Sequence, residues 1–216
     1  MNKKLLSVIA SVFGLLIIFI YLNFAVGLVH FSQFVTLVLA FAIAPVVLWG
    51  IIELHSELSQ SDNRIILLLG TVYLVIAFSF FLLMLVVQQA IFISMDEFIA
   101  NEPNDANKNI LKFILKALNR VQLGIDVAFD VFYSLGLVFM SIVLMKHKGF
   151  GTPFGIYGIA CGSLLLIFNL YTFPIPPRNA NLFDVGPFTA VWWIWIIAQG
   201  IRQRKTKPNY PTRTEE

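Results

Sequence analysis

Charged residues are scarce in this chain, and this scarcity excludes a soluble globular protein. Asp, Glu, Lys and Arg together make up 12% of the 216 residues, whereas 58% are hydrophobic. Too few polar side chains remain to cover the surface of a soluble domain, and the mean hydropathy of +0.83 agrees. The composition therefore predicts an integral membrane protein.

Cysteine and histidine are also rare, which excludes several kinds of site. The one cysteine, Cys161, allows neither an internal disulfide nor a multi-cysteine metal site. His30, His55 and His147 lie at or beyond the ends of apolar segments, so a bundle would contain no bis-histidine haem site. No phosphate-binding loop is present, and Ser163 has no histidine at its depth to act as a base. We expect no metal, no cofactor and no enzymatic activity.

The few basic residues indicate lipid rather than nucleic acid as the partner. The net charge is +3, but the lysines and arginines cluster at the ends of apolar segments and do not alternate with aromatic residues along a polar face. The bilayer is the expected partner, nucleic acid is not, and a homo-oligomer or a membrane protein partner stays open.

Apolar runs divide the chain into six segments that could cross a membrane. A spanning helix needs about 20 mostly apolar residues. The first run follows two lysines like a signal peptide, but it is too long and lacks a cleavage site, so an uncleaved span is favoured. We predict an all-α polytopic transmembrane bundle forming one domain over residues 1–207, then a disordered cytoplasmic tail at 208–216. The predicted spans are 5–22, 33–52, 65–88, 122–145, 153–173 and 187–202.

The distribution of basic residues predicts the orientation. With the N-terminus inside, ten of the fifteen lysines and arginines fall on the cytoplasmic side. Four of the other five lie in one long outer connection, where the positive-inside rule is weak. Both termini are therefore expected in the cytoplasm.

The long outer connection contains an amphipathic pattern at 108–121. Its apolar residues fall on one helical face, and four basic residues recur at a spacing of four on the opposite face. This predicts an outer amphipathic helix, which either lies in the interface with its apolar side toward lipid or extends the fourth span outward. The apolar residues are Ile110, Phe113, Ile114, Ala117, Leu118 and Val121, and the basic residues are Lys108, Lys112, Lys116 and Arg120.

The connection before the last span is rich in proline. Pro174, Pro176 and Pro177 cannot continue a helix, so the fifth span should end near residue 173 and the chain should then run extended. Asp184 would lie near the positive end of the sixth helix. We interpret this stretch as a rigid outer hairpin. The alternative is a lid over a cavity, formed with Arg178 and Asp184.

Two further patterns concern the last two spans. Gly158 and Gly162, spaced by four, predict a close contact between helices. Trp192, Trp193 and Trp195 open the last span and predict an aromatic belt at the outer interface.

Two aspartates, Asp126 and Asp130, stand one turn apart inside the fourth predicted span. A carboxylate at the centre of a span costs roughly 2.5–3.5 kcal/mol, so each needs a partner, a proton or hydration. At 1.5 Å per residue they would lie about 5 Å and 10 Å inside the outer boundary. One interpretation is a structural ion pair with Arg120, Arg178 or Lys116. The other is that the two carboxylates cannot both ionise easily, so that one exchanges a proton or the pair holds a cation.

Other polar residues should lie at the same depth and complete a shallow outer pocket. The candidate pocket consists of Gln122, Asp126, Asp130, Tyr133, Asn169, Tyr171 and Arg178. We expect a structural or accessory membrane component. The alternative is a small carrier, or a proton- or cation-coupled permeation protein, that uses Asp126 and Asp130.

Several stretches of the C-terminal half together resemble a known kind of protein. They are 124–130, 134–136, the basic turn at 146–154, the Phe-Pro-x-Pro-Pro element at 173–177 and the segment 182–187 before Trp192 and Trp193. This combination resembles bacterial multi-spanning membrane proteins of uncharacterised families. The resemblance implies a multi-pass protein of the bacterial inner membrane and assigns no catalytic residues.

Overall fold

The computed structural model describes residues 33–59, 62–147 and 149–206, and this part of the chain is almost entirely helical. No β-strand occurs among the described residues, so the prediction of an all-α fold is confirmed. The five α-helices are α1 (Gln33–Leu58), α2 (Arg64–Asn101), α3 (Asp105–Met145), α4 (Thr152–Thr172) and α5 (Gly186–Thr206).

Three helices of the described part, α2, α3 and α4, are long and apolar enough to cross a membrane. They contain the third, fourth and fifth predicted spans. The second and sixth predicted spans lie within the helices α1 and α5. Over their described residues, these two helices do not have the length and apolar composition of a spanning helix. The predicted first span and the predicted tail lie outside the described residues. The structure therefore supports three spans, and the predicted count of six goes beyond it.

The helices α2 and α3 are much longer than the spans predicted within them. They contain 38 and 41 residues, or about 57 Å and 62 Å, against about 30 Å for the hydrocarbon core of a bilayer. Residues 102–104 form the whole connection, in which the Asn104 side chain accepts a hydrogen bond from the Ala106 backbone N–H at 2.8 Å. The predicted polar connection is thus mostly helical, and we call the end of the bundle that carries this turn the hairpin side.

Of the two alternatives for the amphipathic helix at 108–121, the structure has the second, because these residues extend the fourth span outward as the first part of α3. The helix continues without a break into the span, so this segment cannot lie flat in an interface. Its half-buried leucines, Leu111, Leu115 and Leu118, are the residues that turn inward. Most of the predicted apolar face is exposed instead, including Phe113 with 73% of its surface accessible.

Glycine allows α3 to approach both of its neighbours closely. A Cβ atom at Gly136 would lie 2.7 Å from Leu74 Cγ of α2, and one at Gly162 would lie 2.9 Å from the Ser134 carbonyl oxygen of α3. A Cβ atom at Gly158 would collide with the Ser141 hydroxyl. Small residues let helix backbones pack at short range in membranes. The helix contact predicted from Gly158 and Gly162 is confirmed.

The last helix, α5, begins within the thickness of the bundle and not at its hairpin-side surface. The hydroxyl of Tyr157 donates a hydrogen bond to the Phe188 carbonyl at 2.8 Å. Tyr157 lies about 8 Å from the start of α4 and about 22 Å from its hairpin-side end. The chain therefore leaves α4 at Thr172, forms a 3-10 turn at Pro177–Ala180, and returns into the bundle before α5 starts.

This entry point explains why the predicted tryptophan belt is wrong. Trp192 is fully buried and stacks on Phe154 at 5.8 Å, and Trp195 packs on the same ring at 5.3 Å. Phe154 lies at the start of α4, on the side of the bundle opposite the hairpin. Trp192 is thus buried far from the hairpin side, whereas Trp195 packs on Phe154 with 41% of its surface exposed, because the returning chain has already crossed part of the bundle's thickness.

Candidate functional site

A polar stripe runs along the face of α3 that packs against α4 and α5. Asp126, Asp130 and Ser134 follow one another at a spacing of four, and Ser141 lies two turns further along the same face. The contacts of Ser134 with Gly162 and of Ser141 with α4 and α5 show where this face points. The face toward α2 is apolar and includes Phe129, whose ring packs on Phe78 and Phe81 of α2.

Three carboxylates interact electrostatically at the hairpin-side part of this stripe, and we call Asp126, Asp130 and Asp184 the acidic cluster. Asp126 and Asp130 are half-buried, whereas Asp184 is exposed in the segment that returns toward α5. Asp184 lies close enough to interact electrostatically with both of the others. The buried Asn169 of α4 hydrogen-bonds through its side chain to Asp130, and its amide also donates to the Leu165 carbonyl at 3.0 Å. Three α-helices and the returning segment therefore converge here.

No ion pair reaches the acidic cluster from any residue that the structure describes. Arg120 donates instead to the Pro174 carbonyl at 3.0 Å, and Lys116 and Arg178 are exposed. The ion pair found within the described ranges joins Lys108 and Asp105 at 4.0 Å, far along the hairpin. The structural ion pair weighed from the sequence is therefore not formed in this structure.

The N-terminus of α5 supplies part of the missing positive charge. The Gly186 backbone N–H donates a hydrogen bond to Asp184 Oδ1 at 2.8 Å. A helix N-terminus acts as roughly half a positive charge, and the effect is felt within the first turn. Because α5 starts inside the bundle, this pole lies beside the cluster. Half a charge cannot neutralise three carboxylates.

Aromatic rings line the inner side of the cluster, one turn further along α3. Tyr133 is buried, and its hydroxyl accepts a hydrogen bond from Trp193 Nε1 at 2.9 Å. Its ring also stacks on Phe129 at 5.3 Å and meets Phe78 edge-on at 6.0 Å. The acidic cluster therefore borders an apolar, closely packed aromatic layer on its inner side.

The predicted pocket is only partly assembled. Asp126, Asp130 and Asn169 are brought together, and Gln122 lies half-buried one turn outward on the same face. Tyr133 packs on Phe129 and Phe78 and binds Trp193. Tyr171 and Arg178 are exposed, and no hydrogen bond or ion pair among the described residues joins them to the cluster.

The residues predicted for the outer loop do not form one group in the structure. The Pro174 carbonyl binds Arg120, and Pro176 precedes the 3-10 turn that begins at Pro177. Asp184 belongs to the cluster itself and does not cover it from outside. The proline stretch thus folds into a turn, which differs from the extended course predicted.

Sequence reasoning missed the buried serines and the pairing of Trp193 with Tyr133. Ser134 and Ser141 are fully buried, and their hydroxyls have no hydrogen-bond partner within the described part of the chain. Trp192 Nε1 is also buried and has no hydrogen-bond partner within the described part of the chain. The spacing of four that links Asp126, Asp130 and Ser134 was a signal for the first serine. The position of Trp193 depends on where α5 starts, which no local pattern indicates.

The geometry limits the chemistry of the cluster. In the part of the chain that the structure describes, no three side chains of His, Cys, Asp or Glu are grouped closely enough to hold a metal ion. Carboxylates spread in this way suit exchange of a proton or weak binding of a cation.

Comparison with known proteins adds no assignment. No protein-family model, no curated protein and no solved structure matches the chain.

Proposed function

We propose that this chain is a small carrier, or a proton- or cation-coupled permeation protein, and that the acidic cluster is its binding site. The protein would lie in the bacterial inner membrane with six spans, both termini in the cytoplasm and the hairpin side facing outward. In this proposal the protein is not an enzyme. The resemblance to bacterial multi-spanning proteins supports the setting.

One observation carries the proposal: two carboxylates inside a long apolar helix interact with a third carboxylate and an amide, and with no cationic side chain that the structure describes. Ionisable groups within membrane helices are costly and commonly mark ion or proton pathways. A carboxylate needed only for folding is expected to have an arginine or a lysine as its partner. Arg120, the basic side chain nearest along the helix, binds a carbonyl instead.

The start of α5 within the bundle supports the same proposal. In several transporter folds, helices that begin part-way through the membrane direct their ends at the binding site. Here the Gly186 N–H at the N-terminus of α5 binds Asp184, and Asp184 interacts electrostatically with Asp126 and Asp130. A bound cation would balance the charge that the helix pole leaves uncompensated.

A structural or accessory role is the second candidate. The observation that favours it is the tight packing of Gly155, Gly158 and Gly162 against α3. Such packing fits a rigid bundle that holds another protein. In that case the acidic cluster would serve only to fix the returning segment.

The test is flux through the purified protein in sealed liposomes, followed with a pH-sensitive or cation-sensitive dye inside the vesicles under an imposed gradient. We expect the wild-type protein to dissipate the gradient, and Asp126→Asn and Asp130→Asn to lose most of this flux. Asp105→Asn is the matched control, because Asp105 is a carboxylate on the same helix but 97% exposed on the hairpin. It should conduct like the wild type.

Two results would argue against the proposal. Wild-type vesicles that retain proton and cation gradients as long as empty vesicles would favour the structural role. Flux that survives in Asp126→Asn and Asp130→Asn would place the pathway elsewhere in the bundle.

A further inference from the structure

Two buried serines continue the polar stripe of α3 beyond the acidic cluster. Ser134 lies one turn, about 6 Å, past Asp130, and Ser141 lies about 10 Å further along the helix. Both serines are fully buried, and neither hydroxyl has a hydrogen-bond partner within the described part of the chain. A buried polar group without a partner commonly costs about 1–3 kcal/mol, so these hydroxyls call for a reason other than packing.

A third unpartnered group lies beside Ser141. A Cβ atom at Gly158 would lie 2.5 Å from Trp192 Nε1 of α5 and would collide with the Ser141 hydroxyl. Because Gly158 has no side chain, the hydroxyl and the indole N–H lie next to each other. A hydroxyl both donates and accepts hydrogen bonds, whereas an indole only donates. Together the two groups could hold a water molecule between α3, α4 and α5.

The polar groups on this face of α3 extend over most of the thickness of a bilayer. From Asp126 to Ser141 the helix rises about 22 Å, against about 30 Å for the hydrocarbon core. Ser141 lies about 6 Å from the end of α3 at Met145. The acidic cluster therefore lies toward one end of the line of polar groups, and Ser141 lies toward the other.

A tight apolar contact interrupts this line between the two serines. A Cβ atom at Gly162 would lie 2.9 Å from Val138 Cγ2 and 3.5 Å from Leu137 Cβ, so α3 and α4 touch directly at this level. Hard cations such as Mg²⁺ and Ca²⁺ keep about six to eight oxygen ligands in proteins. The serines supply single hydroxyls, and the contact leaves no room for a hydrated ion. A proton needs only a chain of hydrogen-bonding groups.

We propose that the proton is the species that crosses the bundle, along the line from Asp130 past the two buried serines. This inference rests on the proposed function of the acidic cluster. The neutral carboxyl group of Asp130 would release its proton to a neighbouring hydroxyl or water. Each member of the line would then accept one proton and pass on another, and the carboxylate would recover a proton from the hairpin side.

The apolar contact would act as the gate of this path. At hydrogen-bond spacing, the gap between the serines takes about three water molecules in line. They would enter when α3 and α4 separate at Gly162, as in other apolar constrictions that open by wetting. A metal cation could bind at the acidic cluster, but it would not cross.

Proton flux through the purified protein in sealed liposomes tests the line, with a pH-sensitive dye inside the vesicles. Ser134→Ala and Ser141→Ala should each slow the flux about tenfold, the equivalent of one hydrogen bond of about 1.4 kcal/mol in the barrier. Ser79→Ala is the matched control, because Ser79 is a helical serine of α2 whose hydroxyl donates to the Val75 carbonyl at 2.9 Å. It should keep the wild-type flux. A cation-sensitive dye should report no entry of Na⁺ or K⁺ through the wild type.

Thermal unfolding in detergent separates this role from a structural one. Because neither serine hydroxyl would lose a partner, Ser134→Ala and Ser141→Ala should melt at or above the temperature of the wild type. A clear fall in melting temperature would overturn the inference, since it would show that the hydroxyls hold the fold together.

The apolar contact supplies a further variant. Val138→Ala removes the methyl group that lies against Gly162 and should speed proton flux several-fold, whereas Val75→Ala, at a partly buried valine of α2, should not. Serine variants that carry protons at the wild-type rate, or a wild type that passes Na⁺ or K⁺ as readily as protons, would overturn the inference and leave the proposed function standing. Wild-type vesicles that hold every gradient would overturn both.

Discussion

At the scale of single residues, the site depends on how carboxylates are tolerated inside an apolar bundle. Asp130 has an amide from Asn169 and the pole of α5 nearby, but it also has two other carboxylates. Each neutral donor stabilises the ionised form only modestly. The cluster is therefore poised to accept a positive charge from outside the chain, which is the physical basis of the proposed function.

The glycines of the α3–α4 contact give a prediction with an internal control. Gly158→Ala should destabilise the bundle by about 1–3 kcal/mol, because the added methyl group would meet the Ser141 hydroxyl and the Trp192 ring in a closely packed region. Gly124→Ala should be neutral or stabilising by up to about 1 kcal/mol, since nothing lies within 4 Å of the added group and alanine favours a helix. Thermal unfolding in detergent compares the two. Equal losses would mean that Gly158 is not at a close helix contact.

At the scale of helices, sequence patterns predicted where helices occur but not where they end. Apolar runs identified all five described helices, and prolines predicted the end of α4 within a residue of Thr172. The joining of the amphipathic segment to α3 was one of two alternatives that the sequence left open, because a polar stretch such as 96–109 can be a loop or a solvated pair of helices with equal local propensity. Capping by Asn104 and the inward-facing leucines of 108–121 favour the continuous helix.

The depth at which α5 starts could not be predicted from local sequence patterns, for a different reason. Pro187 correctly suggested a helix start, which the structure has at Gly186. The depth of that start depends on how the segment from 181 to 185 packs against α4, which is a long-range contact. For this reason the sequence grouped Asp126, Asp130 and Asn169 by depth alone. It placed Asp184 in a rigid outer hairpin, or alternatively in a lid, and the tryptophans at an interface.

At the scale of the whole molecule, successive helices pack as neighbours from α1 to α5, with α3 at the centre between α2 and α4. This order makes α3 the element that carries both the polar stripe and the glycine contacts. The acidic cluster lies where α3 leaves the bundle.

The proposed orientation of the molecule predicts the result of reporter fusions. Fusions after Arg64, His147 and Thr214 should be cytoplasmic, and fusions near Pro103 and Asn179 should be periplasmic, because most basic residues mark the inner side. Paired alkaline phosphatase and green fluorescent protein reporters measure both states. A cytoplasmic result at Pro103 would mean that the hairpin points inward and that the spans before it have been miscounted.

Thermal unfolding of Asp130→Asn in detergent, beside the wild type and Asp105→Asn, tests most directly whether the acidic cluster holds an exchangeable charge. We predict a melting temperature equal to or above that of the wild type, because asparagine places a neutral group beside the other two carboxylates and its amide oxygen can still accept from Asn169. Added cations should stabilise the wild type more than the variant. A large loss of stability, of the roughly 3–5 kcal/mol expected when a buried ion pair is broken, would contradict this account, because it would show that Asp130 holds a cationic partner within the fold.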